Sequence, residues 1–202
     1  MRLPSSAHTS RPWLIHQIAE DFALEDVWAL ATPGAGRDDF PALVAIVGDG
    51  LEKQVSAPAR ALFWLRWKLG ALLRLDRAGG GLGTRVASLR ERLPEELRAA
   101  ATAHQDTGST FTFLYEVADE RAMEIANRTM HGVVHFGWVP DGRGGWRGQL
   151  AILVKPNGRL GTAYMAFIKP FRYLIVYPSM LRACERAWRA RPITETHRLD
   201  KG

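Results

Sequence analysis

Residues 110–117, Thr-Phe-Thr-Phe-Leu-Tyr-Glu-Val, decide the fold, because bulky apolar side chains recur at every second position along them. A period of two residues is typical of a β-strand with one buried face. One face of the predicted strand carries Phe111, Phe113, Tyr115 and Val117. The segment therefore predicts that a sheet begins here.

Three further strands follow at short spacing. The sequence predicts them over 121–126, 131–139 and 146–155. The turns between them are short: Asn-Arg-Thr at 127–129 and the glycine-rich Asp-Gly-Arg-Gly-Gly at 141–145. Consecutive strands joined by short turns pair in the antiparallel direction. The region therefore predicts an antiparallel sheet.

The segments that precede this sheet predict one strand and three helices. Mixed alternation predicts a first strand over 12–20. An aspartate cap predicts a short helix over 38–47, and a serine cap followed by proline starts a leucine-striped helix over 56–75. A shorter helix is predicted over 86–101, interrupted near Pro94.

A long C-terminal helix follows the turn that begins at Pro156. Its apolar positions recur at helical spacing; they are Leu160, Tyr164, Phe167, Ile168, Phe171, Leu174, Ile175, Leu181, Cys184 and Trp188. Pro170 and Pro178 each remove a backbone hydrogen bond, so we expect the helix to bend at both.

Together these elements predict an α+β fold. A curved antiparallel sheet packs around the long, kinked C-terminal helix, and a helical insertion follows the first strand. The length of 202 residues favours one domain over 1–202. Residues 1–10 and 192–202 are predicted to be flexible tails.

Composition narrows the classes of partner. The 27 basic and 21 acidic residues give a net charge of +6, but the basic residues are spread along the chain, so we expect no nucleic-acid partner. The C-terminal arginines either bind an acidic partner or form a solvated helix face. The single cysteine, Cys184, excludes an internal disulfide and a cysteine-based zinc site, and it fits a reducing cytoplasm.

No membrane segment is predicted. The first residues lack an apolar stretch of signal-peptide length. The most apolar region, 164–181, is broken by Lys169, Pro170, Arg172 and Pro178. A helix that crosses a bilayer needs about 20 largely uncharged apolar residues. We therefore expect a cytoplasmic protein that is not integral to a membrane.

Two segments resemble a known group of proteins. Residues 60–70, Arg-Ala-Leu-Phe-Trp-Leu-Arg-Trp-Lys-Leu-Gly, and 161–176, Gly-Thr-Ala-Tyr-Met-Ala-Phe-Ile-Lys-Pro-Phe-Arg-Tyr-Leu-Ile-Val, resemble an uncharacterised bacterial family. That family lies within the START-like, or SRPBCC, superfamily, which has the helix-grip fold and includes polyketide cyclases. The matching segments are packing motifs, so they carry no catalytic residue to transfer.

The resemblance implies a largely apolar cavity between the sheet and the C-terminal helix. Superfamily members bind lipids, sterols, hormones or polyketide intermediates, and some are aromatase/cyclases or dehydratases. Members of the bacterial family occur alone or behind NAD-binding epimerase-like domains. By analogy, a hydrophobic small molecule and an NAD-binding epimerase-like protein are the partners that the resemblance implies.

His131 and His135 are the leading candidates for a functional pair. Four residues apart on one strand, they share a face, but their Cα atoms lie about 13 Å apart. One metal ion, which binds nitrogen at about 2 Å, cannot easily take both, so we predict no metal site. The alternatives are a polar site inside an apolar cavity and ordinary hydrogen-bonded or exposed strand histidines.

Glu124 lies across the predicted hairpin from His131. If its carboxylate faces a cavity, burial raises its pKa and a neighbouring histidine can complete an acid–base pair. Alternatively, Glu124 lies on the solvent face and pairs with Arg128 or another arginine. The sequence favours the solvated pair.

Several aromatic and amide side chains combine an apolar body with a polar tip, which suits a ligand pocket. The candidates are Tyr115, Trp138, Gln149 and Tyr164, joined by the apolar Phe167 on the C-terminal helix. The alternative for each of them is ordinary core packing.

Other motifs are excluded. The glycine-rich segment 79–84 follows a helix and lacks the lysine of a phosphate-binding loop, so we expect no nucleotide and no cofactor. The serine motif G-x-S-x-G does not occur. Cys184 falls in the apolar register of its helix, which favours inert packing.

Two principal hypotheses about function follow. The first is the binding of a lipid-like or polycyclic molecule without chemistry. The second is an enzyme of cyclase or dehydratase type, with His131 or His135 as the base and Glu124 or Tyr115 as its proton partner. A third hypothesis is a filled core that serves protein interaction.

Overall fold

Short turns join most of the strands in succession, so the sheet is built from hairpins. The computed structural model describes residues 1–48, 82, 86–104, 111–127 and 129–191. The strands are β1 Ala23–Ala29, β2 Thr112–Val117, β3 Glu120–Ala126, β4 Met130–Pro140 and β5 Trp146–Pro156. The helices are α1 Ser6–Thr9, α2 Ile15–Ile18, α3 Phe40–Gly48, α4 Glu95–Ala103, α5 Gly158–Phe171 and α6 Tyr177–Ala190.

The five strands form one open antiparallel sheet in the order β1-β5-β4-β3-β2. The last four strands pair with their neighbours in sequence, as the short turns predict. The first strand of the chain closes onto the last one, with Ala23 opposite Val154. The predicted α+β class is confirmed.

The prediction of a first strand over 12–20 is wrong. Residues Ile15–Ile18 form a helical turn, and the first strand begins at Ala23. Ile15 and Ile18 are both buried, and a separation of three residues places them on one face of a helix. The strand signal of β1 is weak because a bulge between Leu24 and Asp26 interrupts its alternation.

A second bulge changes the predicted face of β2. The register shifts between Phe113 and Tyr115, so Leu114 and Tyr115 are both fully buried. Val117 still shares a face with Tyr115, but it is exposed at the end of the strand, beside the turn into β3. The extra residue breaks the period of two on which the prediction rested.

The helices follow the predicted breakpoints where the structure describes them. A short 3₁₀ turn at Arg37–Asp39 leads into α3, and Pro94 separates a 3₁₀ turn at Leu89–Arg92 from α4. The predicted helix over 56–75 lies outside the described residues, as does nearly all of the glycine-rich segment 79–84.

The C-terminal helix is long and bent, as predicted. A five-residue π-helical turn, Arg172–Val176, separates α5 from α6, and it lies between Pro170 and Pro178. Proline and π-helical turns are both known causes of helix kinks. Within the described residues, no helix is long and apolar enough to cross a membrane.

A buried carboxylate ties this bend to the sheet. Asp26, at the bulge of β1, accepts hydrogen bonds from Arg172 Nη2 at 2.7 Å and from Tyr177 Oη at 2.8 Å. The hydroxyl of Tyr173 donates to the other carboxylate oxygen. Burial and the contact with Asp26 raise the pKa of Tyr173 to about 12, so its proton stays in place at neutral pH. The bend is therefore held by charged and neutral hydrogen bonds.

The two faces of the sheet carry separate hydrophobic clusters. One cluster includes Trp138, Cys184 and Trp188 and lies between the sheet, α3 and α6. The other includes Trp13, Leu93 and Leu114 and lies beneath α1, α2 and α4. We call the second side of the sheet the N-terminal face, because residues from the first part of the chain cover it.

Candidate acid–base site

The site begins with a pattern on β3 and β4. Alternate residues of β3 that point to the N-terminal face read Glu120, Ala122, Glu124 and Ala126. Their direct partners on β4 are Gly137, His135, Val133 and His131, respectively. Each histidine thus lies opposite an alanine, and each glutamate is diagonal to a histidine. The small residues leave room for two parallel histidine–glutamate pairs.

The first pair, His135 with Glu120, is completely enclosed. His135 Nε2 lies 2.7 Å from Glu120 Oε2, and His135 has no exposed surface. The same carboxylate oxygen accepts a 2.8 Å hydrogen bond from the Tyr115 hydroxyl. The other oxygen accepts the backbone N–H of Leu14 at 2.9 Å. Glu120 is therefore fully satisfied as an acceptor.

The second pair, His131 with Glu124, faces a different set of partners. His131 Nε2 lies 2.8 Å from Glu124 Oε2, and both side chains are buried. The same oxygen accepts the backbone N–H of Leu89, and the hydroxyl of Ser88 donates to the second oxygen. These contacts hold the 3₁₀ turn that begins at Leu89, so this pair fastens a loop to the sheet.

The first pair continues into two more histidines from the N-terminal segment. His8 Nε2 lies 3.1 Å from His135 Nδ1, and His16 Nε2 lies 2.9 Å from His8 Nδ1. His8 is fully buried, whereas His16 is only half-buried. We call His16, His8 and His135, ending at Glu120, the histidine chain. It leads from the protein surface to a buried carboxylate.

The chemistry of the acceptor gives this chain a direction. An ionised Glu120 only accepts, so His135 Nε2 carries a proton and, in the neutral ring, Nδ1 does not. His8 Nε2–H then donates to that nitrogen, and His16 Nε2–H donates to His8 by the same logic. When all three imidazoles are neutral, Nδ1 of His16 therefore carries a lone pair. This atom is the outer end of the histidine chain.

The electrostatics favour neutral imidazoles. Burial, together with the charges of His135 and His16, lowers the pKa of His8 from 6.5 to about 3. Burial also lowers the pKa values of His135 and His16. Each protonated ring repels a proton on the next, so the chain holds at most one extra proton at a time.

Glu120 stays ionised in spite of its enclosure. Burial alone raises its pKa, but the hydrogen bond and charge of His135, with donation from Leu14 and Tyr115, outweigh burial and lower the pKa overall. Burial and the adjacent Glu120 raise the pKa of Tyr115 above its usual value. Tyr115 is thus a fixed donor that stabilises the carboxylate.

The indole of Trp13 covers the site on the side away from the sheet. A Cβ added to Gly137 would lie 2.8 Å from Trp13 Cζ2, so the indole packs directly on the glycine. The centroids of the Trp13 and His135 rings are 5.2 Å apart. Only glycine at this position of β4 admits the indole at van der Waals distance.

The structure corrects two sequence-based expectations about this region. Glu124, favoured as a solvated partner of an arginine, is fully buried and paired with His131. Residues 1–10, predicted as a flexible tail, are docked: Leu3 N donates to Val27 O at 2.8 Å, and His8 contributes to the histidine chain. The predicted tail over 192–202 lies outside the described residues.

The predicted site residues do not share one cavity. Tyr115, Glu124, His131 and His135 lie on the N-terminal face together with Gln149, whose amide N–H₂ donates to Ala7 O. Trp138 lies on the opposite face, where its indole donates to Arg37 O. Phe167 on α5 is 68% exposed, and Tyr164 belongs to the same helix. The sheet therefore separates the histidines from the C-terminal helix.

His8, His16 and Glu120 were not identified from the sequence. For Glu120, a signal existed: the alternation Glu-x-Ala-x-Glu-x-Ala in β3 matches His-x-Val-x-His-x-Gly in β4. For His8 there was none, because it meets His135 across 127 positions of sequence. Among the described residues, no group of three or more His, Cys, Asp or Glu is arranged to hold a metal ion.

Comparison with known proteins adds a family. A model of a family described as a protein of unknown function (DUF2867) matches residues 18–179, which is most of the chain. Glu120 and His135 lie inside the matched span, and His8 and His16 precede it. No curated protein and no solved structure matches the chain. On the extent of this match, the chain belongs to the DUF2867 family.

Proposed function

We propose that the protein performs acid–base chemistry on a small organic molecule, with His16 as the group that exchanges the proton. The observation that carries the proposal is the unbroken histidine chain from half-buried His16 to buried Glu120. A buried ion that only stabilises a fold does not need a route to the surface. Three successive imidazoles provide one.

The chain can move a proton without moving a heavy atom. A proton taken up at Nδ1 of His16 makes that ring an imidazolium. His16 then passes its Nε2 proton to His8 Nδ1, and His8 passes its own to His135 Nδ1. The positive charge ends on His135, 2.7 Å from the Glu120 carboxylate. Glu120 thereby stabilises the charge that a base acquires during the reaction.

The resemblance to the START-like superfamily suggests which reaction uses such a base. Cyclisation and dehydration of polyketide-like compounds both begin with removal of a proton from carbon next to a carbonyl group. An antiparallel sheet with a bent C-terminal helix is compatible with the helix-grip fold, which supports this proposal. The proposal concerns the N-terminal face, where the base lies.

Deuterium uptake tests the proposal without a known product. The protein is incubated in D₂O with a panel of 1,3-dicarbonyl compounds and aryl ketones, and exchange at carbon is followed by mass spectrometry. We expect exchange above the buffer rate for at least one compound. His16→Gln should lower that rate by about 100-fold or more. His104→Gln is the control, because His104 is an exposed histidine that does not belong to the histidine chain.

Glu120 requires a different readout, because it acts through other residues. Glu120→Gln should lower the exchange rate and also change the imidazole ¹⁵N shifts of His135, since an amide no longer fixes its tautomer. Exchange that is unaffected by His16→Gln contradicts the proposal, and so does a panel without exchange above buffer.

The resemblance supports a second proposal, the binding of a hydrophobic small molecule between the sheet and the C-terminal helix. Its support is the architecture: α6 packs over the sheet through aromatic residues that include Tyr177 and Trp188. Native mass spectrometry of gently purified protein tests it, because a bound lipid-like molecule adds a discrete mass. An NAD-binding epimerase-like partner is a further proposal of the same origin. A cytoplasmic location is proposed from the single cysteine, Cys184.

A further inference from the structure

Three polar atoms near the histidine chain are shielded from solvent and have no hydrogen-bond partner among the described residues. They are Trp13 Nε1, Gln149 Oε1 and Arg147 Nη1. A buried polar atom without a partner costs about 1–3 kcal/mol, so folded proteins contain few of them. Two donors and one acceptor left open on one face of the sheet are a reason to expect a ligand.

Strand register brings these atoms into one region. Gly137 is the direct partner of Gln149, and the indole of Trp13 packs on Gly137. Gln149 and Trp13 are each at least nine-tenths buried. Arg147 lies two residues before Gln149 on β5, so the strand period places both on the N-terminal face. We call Trp13, Gln149 and Arg147 the polar subsite.

The polar subsite adjoins the histidine chain. The Cβ position of Gly137 that touches Trp13 also lies 3.5 Å from His135 Cε1. On the other side, His16 N donates to Trp13 O at 3.2 Å, which makes the two residues neighbours on one helical turn. Trp13 therefore joins the polar subsite to the histidine chain.

The charge of the region favours an anion. Burial lowers the pKa of Arg147, and the positive charge of Arg11 acts in the same direction, which places two guanidinium groups near each other. The charge of Asp141 opposes them, and one oxygen of its carboxylate accepts the backbone N–H groups of Arg143 and Gly145. Two adjacent cations are stabilised when an anion lies between them.

Arg147 can be reached from solvent. It lines an open surface pocket of about 350 Å³ together with Thr32, Trp146 and Arg189, whereas Trp13 and Gln149 are not part of its lining. That volume lies within the range typical of pockets for small molecules. A ligand of modest size can therefore approach Arg147 without unfolding the sheet.

We propose that the polar subsite binds the carboxylate end of the small molecule on which the histidine chain acts. Arg147 and the indole N–H of Trp13 donate to the carboxylate, and Gln149 Oε1 accepts from a hydroxyl or amide group of the same molecule. This inference rests on the proposed function and adds the substrate class: an organic carboxylic acid that carries a hydrogen-bond donor.

Titration with simple carboxylates tests the binding step alone. Acetate, benzoate and salicylate are added to ¹⁵N-labelled protein, and the indole N–H signal of Trp13 is followed by NMR. Trp13→Phe assigns that signal. We expect a saturable shift with at least one carboxylate, and a weaker shift or none with benzamide, which has the shape of benzoate but no charge.

Matched arginine variants locate the site. Arg147→Met should weaken carboxylate binding by about tenfold or more, because a charged hydrogen bond is lost. Arg182→Met is the control, since Arg182 is an exposed residue of α6, which packs on the opposite face of the sheet. Absence of a saturable shift with all three carboxylates overturns the inference. Equal binding by wild type and Arg147→Met overturns it as well.

Carboxylate binding tests the polar subsite, and deuterium exchange tests the acid–base function, so the two proposals can fail separately. His16→Gln should bind the carboxylate as wild type does, because His16 does not touch the subsite atoms, yet it should lose deuterium exchange. If carboxylates bind and no exchange occurs, the subsite stands and the acid–base function falls. If exchange occurs only with uncharged ketones and carboxylates do not bind, the subsite falls and the acid–base function stands.

Discussion

His131 and His135 share one face of β4, yet each is hydrogen-bonded to its own glutamate and neither to the other. The two pairs look equivalent in the strand register, but their surroundings differ. His135 continues through two further imidazoles to the surface, whereas the carboxylate that binds His131 ends on a loop. The same pairing thus ends the proposed proton route at one position and anchors a loop at the other.

This difference predicts a stability effect at Glu124. Glu124→Gln should lower the free energy of unfolding by about 1–3 kcal/mol, because the amide N–H₂ faces donors that the carboxylate accepts. Urea unfolding followed by circular dichroism measures the change. Glu116→Gln is the control, since Glu116 is an exposed carboxylate paired with Arg121, and should cost less than about 1 kcal/mol. Equal costs for the two variants would contradict a structural role for Glu124.

The buried imidazoles predict that stability falls in mild acid. Below pH 6.5 the unfolded chain binds a proton at His8, but the folded chain binds it only near pH 3. The unfolded state therefore binds more protons over this window, and the free energy of unfolding decreases as pH falls. The loss from His8 should be roughly 3–5 kcal/mol between pH 6.5 and pH 3.

Urea unfolding at a series of pH values checks this dependence. His8→Gln retains a polar side chain but removes the titration, so the slope of stability against pH should become shallower below pH 6.5. A variant with the slope of wild type would show that the acid sensitivity arises elsewhere.

The contact between Trp13 and Gly137 predicts an effect of one added methyl group. Gly137→Ala places a Cβ 2.8 Å from the indole and should lower the free energy of unfolding by about 1–3 kcal/mol. It should also shift the imidazole signals of His135, which packs on the same indole. Gly132→Ala is a matched control on β4, because its Cβ meets only the flexible end of Met130 at close range. A smaller effect at Gly137 than at Gly132 would be inconsistent with the packing.

The anchor of the C-terminal helix predicts a larger loss at Asp26. Asp26→Asn removes the charge that binds Arg172 and leaves a shielded guanidinium without its anion. Loss of one partner of a buried ion pair costs about 3–5 kcal/mol. Thermal and urea unfolding measure the change, with Glu185→Gln, in a partly exposed ion pair with Arg189, as the control. If Asp26→Asn unfolds like wild type, the carboxylate does not hold the bend.

The sequence predicts β2 to β5 well because their signals are local. Each strand lies beside a short turn, and the pairing partner is the next strand along the chain. The strand β1 was missed for the opposite reason: its bulge at Asp26 breaks the period, and its partner β5 is more than a hundred residues away. The C-terminal helix and its bend were predictable from periodicity and two prolines.

The candidate site was only partly predictable. His131, His135, Glu124 and Tyr115 stood out because they lie on recognisable strands. His8 and His16 lie in a segment without strong periodicity, and their role depends on contacts with β3 and β4 that no local pattern encodes. The sequence favours a solvated Glu124 because a glutamate near arginines is usually exposed. In the structure, Ser88, Leu89 and His131 donate to its carboxylate in place of water.

The docking of residues 6–18 on the sheet makes the site modular. The sheet supplies Glu120 and His135, and the first turns of the chain supply His8, Trp13 and His16. Substitutions among these N-terminal residues can therefore change or abolish the proposed proton route. The sheet would still keep both of its histidine–glutamate pairs. In a chain built this way, chemistry can diverge faster than architecture, and the N-terminal turns are the part to compare when two such proteins differ in activity.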